Sequence, residues 1–267
     1  MDWSKSWPPG LIERLGPLTA VSSLGGRAVR AVATASGVEV VVKRGPGVAD
    51  EVAGLDRLAA VPGGPRVPSV LYHEDTLVAL EWIESGPRRP AGEAALGRGL
   101  AALHAVPAGD WGGGSSWIGE CRVDPAPGPS GAQFYGGRLS DLAARCGLEE
   151  PVGAVVERLP DLLPPGPPAL LHGDLWWGNV LWGSGGEPAL IDPSVHGGHP
   201  EEDLAMLALF GPVPGPVMAG YLERGPLESG WPDRVQLWQL YPLLVHSVLF
   251  GGSYRAEAER VARRYRG

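Results

Sequence analysis

Two short apolar runs in the second half of the chain, each leading into an aspartate, constrain its fold more than any other feature. Leu170-Leu171 precedes His172-Gly173-Asp174, and Ala189-Leu190-Ile191 precedes Asp192. Apolar runs of this length read as buried strands, so both carboxylates are expected at strand ends rather than on free loops. Between them stands Asn179, five residues after Asp174 and thirteen before Asp192. A lone HGD, or a lone strand-terminal Asp, is more often a turn or a cap. Asp, Asn and Asp in this order point instead into one cleft. Phosphoryl transfer has that requirement: a carboxylate beside the acceptor hydroxyl, and hard oxygen ligands for magnesium at the phosphates.

Composition sharpens this reading. Asn179 is the only asparagine in 267 residues, and lysine occurs only at Lys5 and Lys43 among 22 basic residues. In a chain that has drifted toward Arg and away from Asn, those that persist are more often chemically required. Lys43 closes the run Val40-Val41-Val42, where strand alternation aims its ammonium at nucleotide phosphates. Glu51 falls on a predicted helix over 48–60, whose apolar stripe is Val48, Val52, Leu55, Leu58 and Ala59, and is placed to pair with Lys43. An isolated pair of this kind is a surface ion pair worth little; ahead of an Asp–Asn–Asp set it reads as phosphate positioning. Gly25 and Gly26 give a weak glycine pattern, common in a chain with 41 glycines, that would let backbone amides approach phosphates. Glu81-Trp82-Ile83 reads either as backbone groups offered to adenine or as a plain strand end.

Residues 18–43 read as strands, with Arg27 to Thr34 and Gly37 to Lys43 forming a hairpin that turns at Ala35-Ser36-Gly37. Val70 to His73 and Leu77 to Ile83 form a second, turning at Glu74-Asp75. Residues 84–92 read as a linker. Beyond it, 93–106 and 132–145 are helical, 107–131 is a Gly/Pro-rich loop, and 160–168 is a proline-stiffened approach. Segments 170–179, 180–182 and 189–191 suggest a short-strand hairpin bearing polar residues, and 200–222 and 233–265 supply C-terminal helices. The architecture inferred is α+β: a small β-rich N-terminal lobe (1–84) that binds nucleotide, then a larger, mainly helical lobe (85–267) for catalysis and substrate.

Other classes fall away. Neither lysine stands in a GxxxxGK[ST] loop, and no GxGxxG, GxSxG or HExxH pattern occurs. A net charge of −8 argues against nucleic acid. No apolar run reaches membrane-spanning length, and the N-terminus has no apolar signal core. Cys121 and Cys146 have neither disulfide-framework density nor zinc-site spacing, which fits a reducing cytoplasm. His196 and His199 lack neighbouring residues that would complete a metal site.

His172 to Asn179 (HGDLWWGN) and Leu190 to Met206 (LIDPSVHGGHPEEDLAM) resemble the fructosamine kinase (ketosamine-3-kinase) family, within the wider aminoglycoside-phosphotransferase-like kinases. The similarity extends to VVVK, EVAGLDRL, ALEWIESG, LAALH and LYPLLVHSVLFGGSY. It implies a protein-kinase-like two-lobed fold, with ATP and Mg²⁺ as cofactors. The reaction implied is phosphorylation of a sugar hydroxyl on a ketosamine, the adduct formed when a sugar glycates an amine. It also implies Asp174 as base, Asn179 and Asp192 as metal ligands, and Lys43 with Glu51 at the nucleotide. Trp176 and His246 fall where the family contacts sugar, and His172 and Asp203 where it supports the catalytic loop. Packing alone would equally explain Trp176, and a satisfied core histidine would explain His246. Val245 and Val248 stand where the family carries Asn, and Trp177 where it usually has a small residue. Two rivals remain open: a kinase of another small alcohol or antibiotic, such as choline or an aminoglycoside, and a nucleotide-binding pseudokinase. The intact Asp174 argues against the second.

Overall fold

Period-two alternation of apolar residues builds the first layer of the computed structural model, which describes residues 7–25, 28–114, 116–123 and 126–267. After a short helix α1 (Pro9–Leu15) come β1 (Leu18–Ser23), β2 (Ala28–Ala33) and β3 (Glu39–Arg44). Helix α2 (Val48–Ala59) follows, then β4 (Val70–Glu74) and β5 (Leu77–Glu81). The five strands form one antiparallel sheet in the order β1-β2-β3-β5-β4. Both expected hairpins are present, and the pairing of β3 with β5 joins them. Val29, Ala31, Val40 and Val42 turn to one face and bury Leu11 of α1. Val78 and Leu80 turn to the other, under Val48, Val52 and Leu55 of α2. Lys43 follows Val42 in the alternation, so it points to the α2 side, where Glu51 lies.

The rest is mainly helical: α3 (Pro90–His104), α4 (Gly131–Cys146), α5 (Glu149–Leu162), α6 (Pro200–Leu207), α7 (Gly215–Leu222), α8 (Trp231–Phe250) and α9 (Gly252–Tyr265). Interspersed are short strands: β6 (Trp117–Ile118) with β7 (Cys121–Arg122), β9 (Val180–Trp182) with β10 (Pro188–Leu190), and β8 (Ala169–Leu171) with β11 (His196–Gly198). Helix α3 begins inside the segment read from sequence as a linker. Helix α5 was not foreseen, because Pro151 and Pro160 masked its stripe of buried Val152, Val155 and Leu159. Pro151 lies in the first turn, where its missing N–H loses no helical bond.

Helices α3 and α7 approach closely through glycines. A Cβ on Gly97 would stand 2.0 Å from the Val217 carbonyl oxygen, and one on Gly220 would stand 2.2 Å from that of Ala94. Leu96, Leu100, Val217 and Tyr221 then pack with Leu175, Val180 and Leu190, so this core underlies the polar loop between β8 and β9. A second core joins α4, α5, α8 and α9. No helix among the described residues is long and apolar enough to cross a membrane.

Candidate active site

Residues 172–179 leave β8 as a tight loop, and backbone bonds from outside the loop fix its shape. Strand β8 pairs with β11, not with the β9–β10 hairpin, so the loop is clamped between two separate two-stranded ribbons. Gly173 adopts φ +82°, and a Cβ there would stand 2.0 Å from the Ser194 carbonyl oxygen. Asp203 on α6 is buried, and its carboxylate accepts from the His172 amide (2.8 Å), the Gly173 amide (2.9 Å) and the His104 ring (Nε2, 3.1 Å). The other ring nitrogen of His104 accepts from the Tyr221 hydroxyl at 2.9 Å. Burial pushes the Asp203 carboxyl up, yet the hydrogen bonds from His104 and from the Gly173 amide outweigh it and hold the value below the usual range.

His172 ties the two carboxylate-bearing segments together. Its Nε2 donates to the Ile191 carbonyl (3.0 Å) and its Nδ1 accepts from the Asp174 amide (3.3 Å), a pattern that only the neutral ring satisfies. Burial lowers its pKa against the opposing pull of Asp203. Asn179 is buried and donates through Nδ2 to the Asp174 carbonyl (2.8 Å) and to its Oδ2 (3.1 Å). Burial raises the Asp174 carboxyl to about 7; the Asn179 bond opposes this, while Asp192 and Asp203 add to it. A carboxylate so tuned is suited to general-base work near neutral pH.

Asp192 adopts φ +55°, the only positive φ among described non-glycine residues. Such a conformation is strained for most side chains and tolerated by Asp. It presents the carboxylate to Lys43, whose ammonium bonds Asp192 and also Glu51 at 2.6 Å. Burial alone would lower the Lys43 pKa; Asp192 and Glu51 outweigh it and raise the value. One cation shared by two acids satisfies neither fully, and burial pushes the Glu51 carboxyl up despite Lys43. With the Asn179 nitrogen engaged by Asp174, its Oδ1 and the Asp192 carboxylate are the hard oxygens available to a magnesium ion, and their chemistry fits one.

A cleft of 470 Å³ holds Gly25, Lys43, Glu51, Asp174, Asn179 and Asp192 together, with Trp176 beside them. It continues into a 370 Å³ cavity walled by Val41, Leu80, Trp82, Ile83, Leu181 and Ile191. The amides of Glu81 and Trp82 donate to the Ser69 and Glu39 carbonyls. The Ile83 amide has no such partner among the described residues. The carboxylate of Glu81 is held by Arg66 and Ser69. Gly26 lies outside the described residues.

Behind Asp174 lies a smaller cavity of 30 Å³, lined by Arg138, Glu202, Tyr241 and His246. Of this group, sequence reading named His246 and missed Arg138, Glu202 and Tyr241. Arg138 is buried, stacks over Tyr241 (3.5 Å to the ring centroid), donates to His196 Nε2 (2.9 Å) and pairs with Glu202 at 3.6 Å. It sits four residues after Phe134 and four before Leu142, on the apolar stripe of α4, and a charge on that stripe was the available sign. His196 is thus engaged in this network. His199 caps α6, its Nδ1 accepting from the Glu201 amide at 3.2 Å. The Tyr241 hydroxyl and His246 Nδ1 are buried without a partner among the described residues. Burial lowers the His246 pKa. Val245 is packed in the α8 core.

Residues 47–266 match the profile of the fructosamine kinase family. A probable ketoamine kinase of Synechocystis is 35% identical over 230 residues, covering 79% of this chain and 76% of that protein. Among solved structures, a candidate fructosamine-3-kinase from Thermobifida fusca is 36% identical with a TM-score of 0.83, covering 95% of this chain and 96% of that one. A choline kinase from Streptococcus pneumoniae, 16% identical with a TM-score of 0.61 and coverage of 96% and 97%, shares the protein-kinase-like fold alone.

Proposed function

Because this chain belongs to the fructosamine kinase family, we propose that it is an ATP-dependent kinase that phosphorylates a sugar hydroxyl of ketosamines. One observation carries the reading. Asp174, raised to about 7, shares a single cleft with Lys43, Asn179 and Asp192. Residues 1–84 form the nucleotide lobe and 85–267 the catalytic and substrate lobe. Adenine lies against Val41, Leu80 and Ile83, and Gly25 lies at the phosphates. Lys43, oriented by Glu51, neutralises phosphate charge, while Asn179 and Asp192 hold Mg²⁺. When bound, that ion supplies charge neutralisation at the phosphates and lowers the pKa of nearby acids.

Asp174 accepts the proton of the acceptor hydroxyl as its oxygen attacks the γ-phosphorus. The new O–P bond forms as the bond to the departing ADP oxygen breaks. Positioning and electrostatics supply most of the acceleration. Trp176 and His246 flank the sugar. His172 and Asp203 keep the loop in register. Two cysteines without a disulfide suit the cytoplasm as compartment.

The test is a panel of fructosyl- and ribulosyl-lysine, aminoglycosides and choline, with ATP consumption coupled to a dye and the product weighed by mass spectrometry. Phosphorylated ketosamine is the expected product. Preference for aminoglycoside or choline would replace the substrate, and Mg·ATP binding with no phosphorylated acceptor would mark a pseudokinase.

A further inference from the structure

Phenylalanine occurs three times in this chain, and two of the three lie on its surface beside the site. Phe210 is 53% exposed and Phe250 is 68% exposed, whereas Phe134 is buried. They belong to a row of five rings. Trp176 meets Phe210 edge-on at 6.1 Å between centroids, and Phe210 stacks on His246 at 6.0 Å. His246 meets Tyr254 at 4.8 Å and Phe250 at 5.8 Å, and these two meet at 6.0 Å. The rings come from four segments: the 172–179 loop, the α6–α7 connection, α8 and α9. Exposed rings in contact form an apolar patch of the kind that marks a binding surface.

His246 joins this shelf to the catalytic cavity. It lines the 30 Å³ space together with Asp174, and its Nδ1 is buried without a partner among the described residues. The five rings are indole, phenyl, imidazole, phenyl and phenol, so the shelf presents π faces. Such faces attract ammonium groups and stack flat apolar ones. The negative face of an aromatic ring offers a carboxylate no attraction, and the chain as a whole carries −8.

We propose that this aromatic shelf is the subsite for the amine substituent of the ketosamine. It selects adducts of aromatic or apolar amines over adducts that carry a free carboxylate. The inference rests on the ketosamine reading above. A ketosamine nitrogen is four bonds from the oxygen on carbon 3, about 5 Å in the extended chain. With that oxygen at Asp174, the secondary ammonium emerges beside Trp176 and His246, and its substituent continues over Phe210, Phe250 and Tyr254.

The full-length protein with Mg·ATP is assayed on ketosamines of one sugar made from benzylamine, butylamine and glycine. The expected kcat/KM falls in that order, with benzyl above glycine by about tenfold. Phe210→Ala and Phe250→Ala each lower kcat/KM for the benzyl adduct by about 3- to 10-fold, chiefly through KM, and narrow its lead over glycine. Both side chains are exposed, and an unchanged thermal midpoint verifies that the variants fold. Equal kcat/KM across the three amines, or a lead that survives in both variants, overturns the shelf and leaves the kinase assignment standing. Better turnover of a glycated protein than of the benzyl adduct overturns it too, since the surface would then serve a macromolecule. If no ketosamine turns over while Mg·ATP still binds, the ketosamine reading falls and the shelf falls with it.

Discussion

Replacing Asp203 by alanine tests whether the catalytic loop is held by one buried carboxylate. The change strands the amides of His172 and Gly173, at 2.8 and 2.9 Å from the lost oxygens, and the Nε2 of His104. A buried donor left unmade costs roughly 1–3 kcal/mol, so the two amides alone imply about 2–6 kcal/mol. That is a large share of the ~5–15 kcal/mol that holds a typical domain together. Asp203→Asn retains one acceptor and turns an NH₂ toward the other donor, so its loss should fall near half. Urea unfolding at equal slope reads both numbers, and turnover should fall alongside, because Gly173 precedes the proposed base. The contact also carries a pH signature. Its folded-state pKa is lowered, so its contribution is present above the unfolded value near ~4 and is lost as pH falls through the lower folded value. An Asp203→Ala protein destabilised by less than ~1 kcal/mol, with turnover intact, would refute the argument.

Asp174→Asn should lower turnover by at least ~10²-fold while Mg·ATP binding, measured by calorimetry, is retained; undiminished turnover removes Asp174 from the role of base. His172 is neutral in the fold with a lowered pKa, so its contribution is complete above the unfolded value near ~6.5 and is lost as pH falls below it. Asp174, raised, works in the opposite sense over the same range. Comparison with His172→Gln therefore isolates the histidine: the wild type should lose up to ~1.4 kcal/mol more stability per pH unit below ~6.5, and parallel curves would count against it. Gly97→Ala forces a methyl to 2.0 Å from the Val217 carbonyl, and should cost about 1–3 kcal/mol by thermal unfolding. An unshifted midpoint would mean that α3 and α7 part at no cost.

The sequence displayed the polar centre more fully than its supports, for a physical reason. Asp174, Asn179, Asp192 and Lys43 are set by short-range rules: apolar strand, turn, and alternation on β3. Their clustering followed from spacing and from the rarity of Asn and Lys. Asp203 and His104 are 99 residues apart in sequence, and only the tertiary fold, with β8 against both α3 and α6, joins them. Arg138 likewise acquires its meaning from Tyr241 and Glu202, on helices that sequence periodicity outlines without docking. Helix α5 was hidden by its prolines, of which Pro151 lies in the tolerant first turn and Pro160 near the C-terminal end. The exposed Phe210 and Phe250 look in sequence like ordinary apolar positions, since exposure belongs to the tertiary fold.

Charge gives these pieces a common logic. Lys43 lies between Glu51 on α2 and Asp192 just after β10, one positive charge against two negative ones. Asp174 and Asp203 add acid nearby, and Asp174 is raised to about 7 in part because these carboxylates repel one another. A pocket with net negative charge would reject a bare triphosphate. It would accept one whose charge is carried in part by a dication at Asp192, leaving Lys43 free to turn toward the phosphates. Affinity for ATP should therefore depend steeply on magnesium, and Asp192→Ala should weaken that dependence more than it weakens nucleotide binding without the ion. Titrating ATP by calorimetry with and without Mg²⁺, in both proteins, measures the two terms separately. Equal magnesium dependence in the variant would place the ion elsewhere and leave Asp192 as a partner of Lys43 alone.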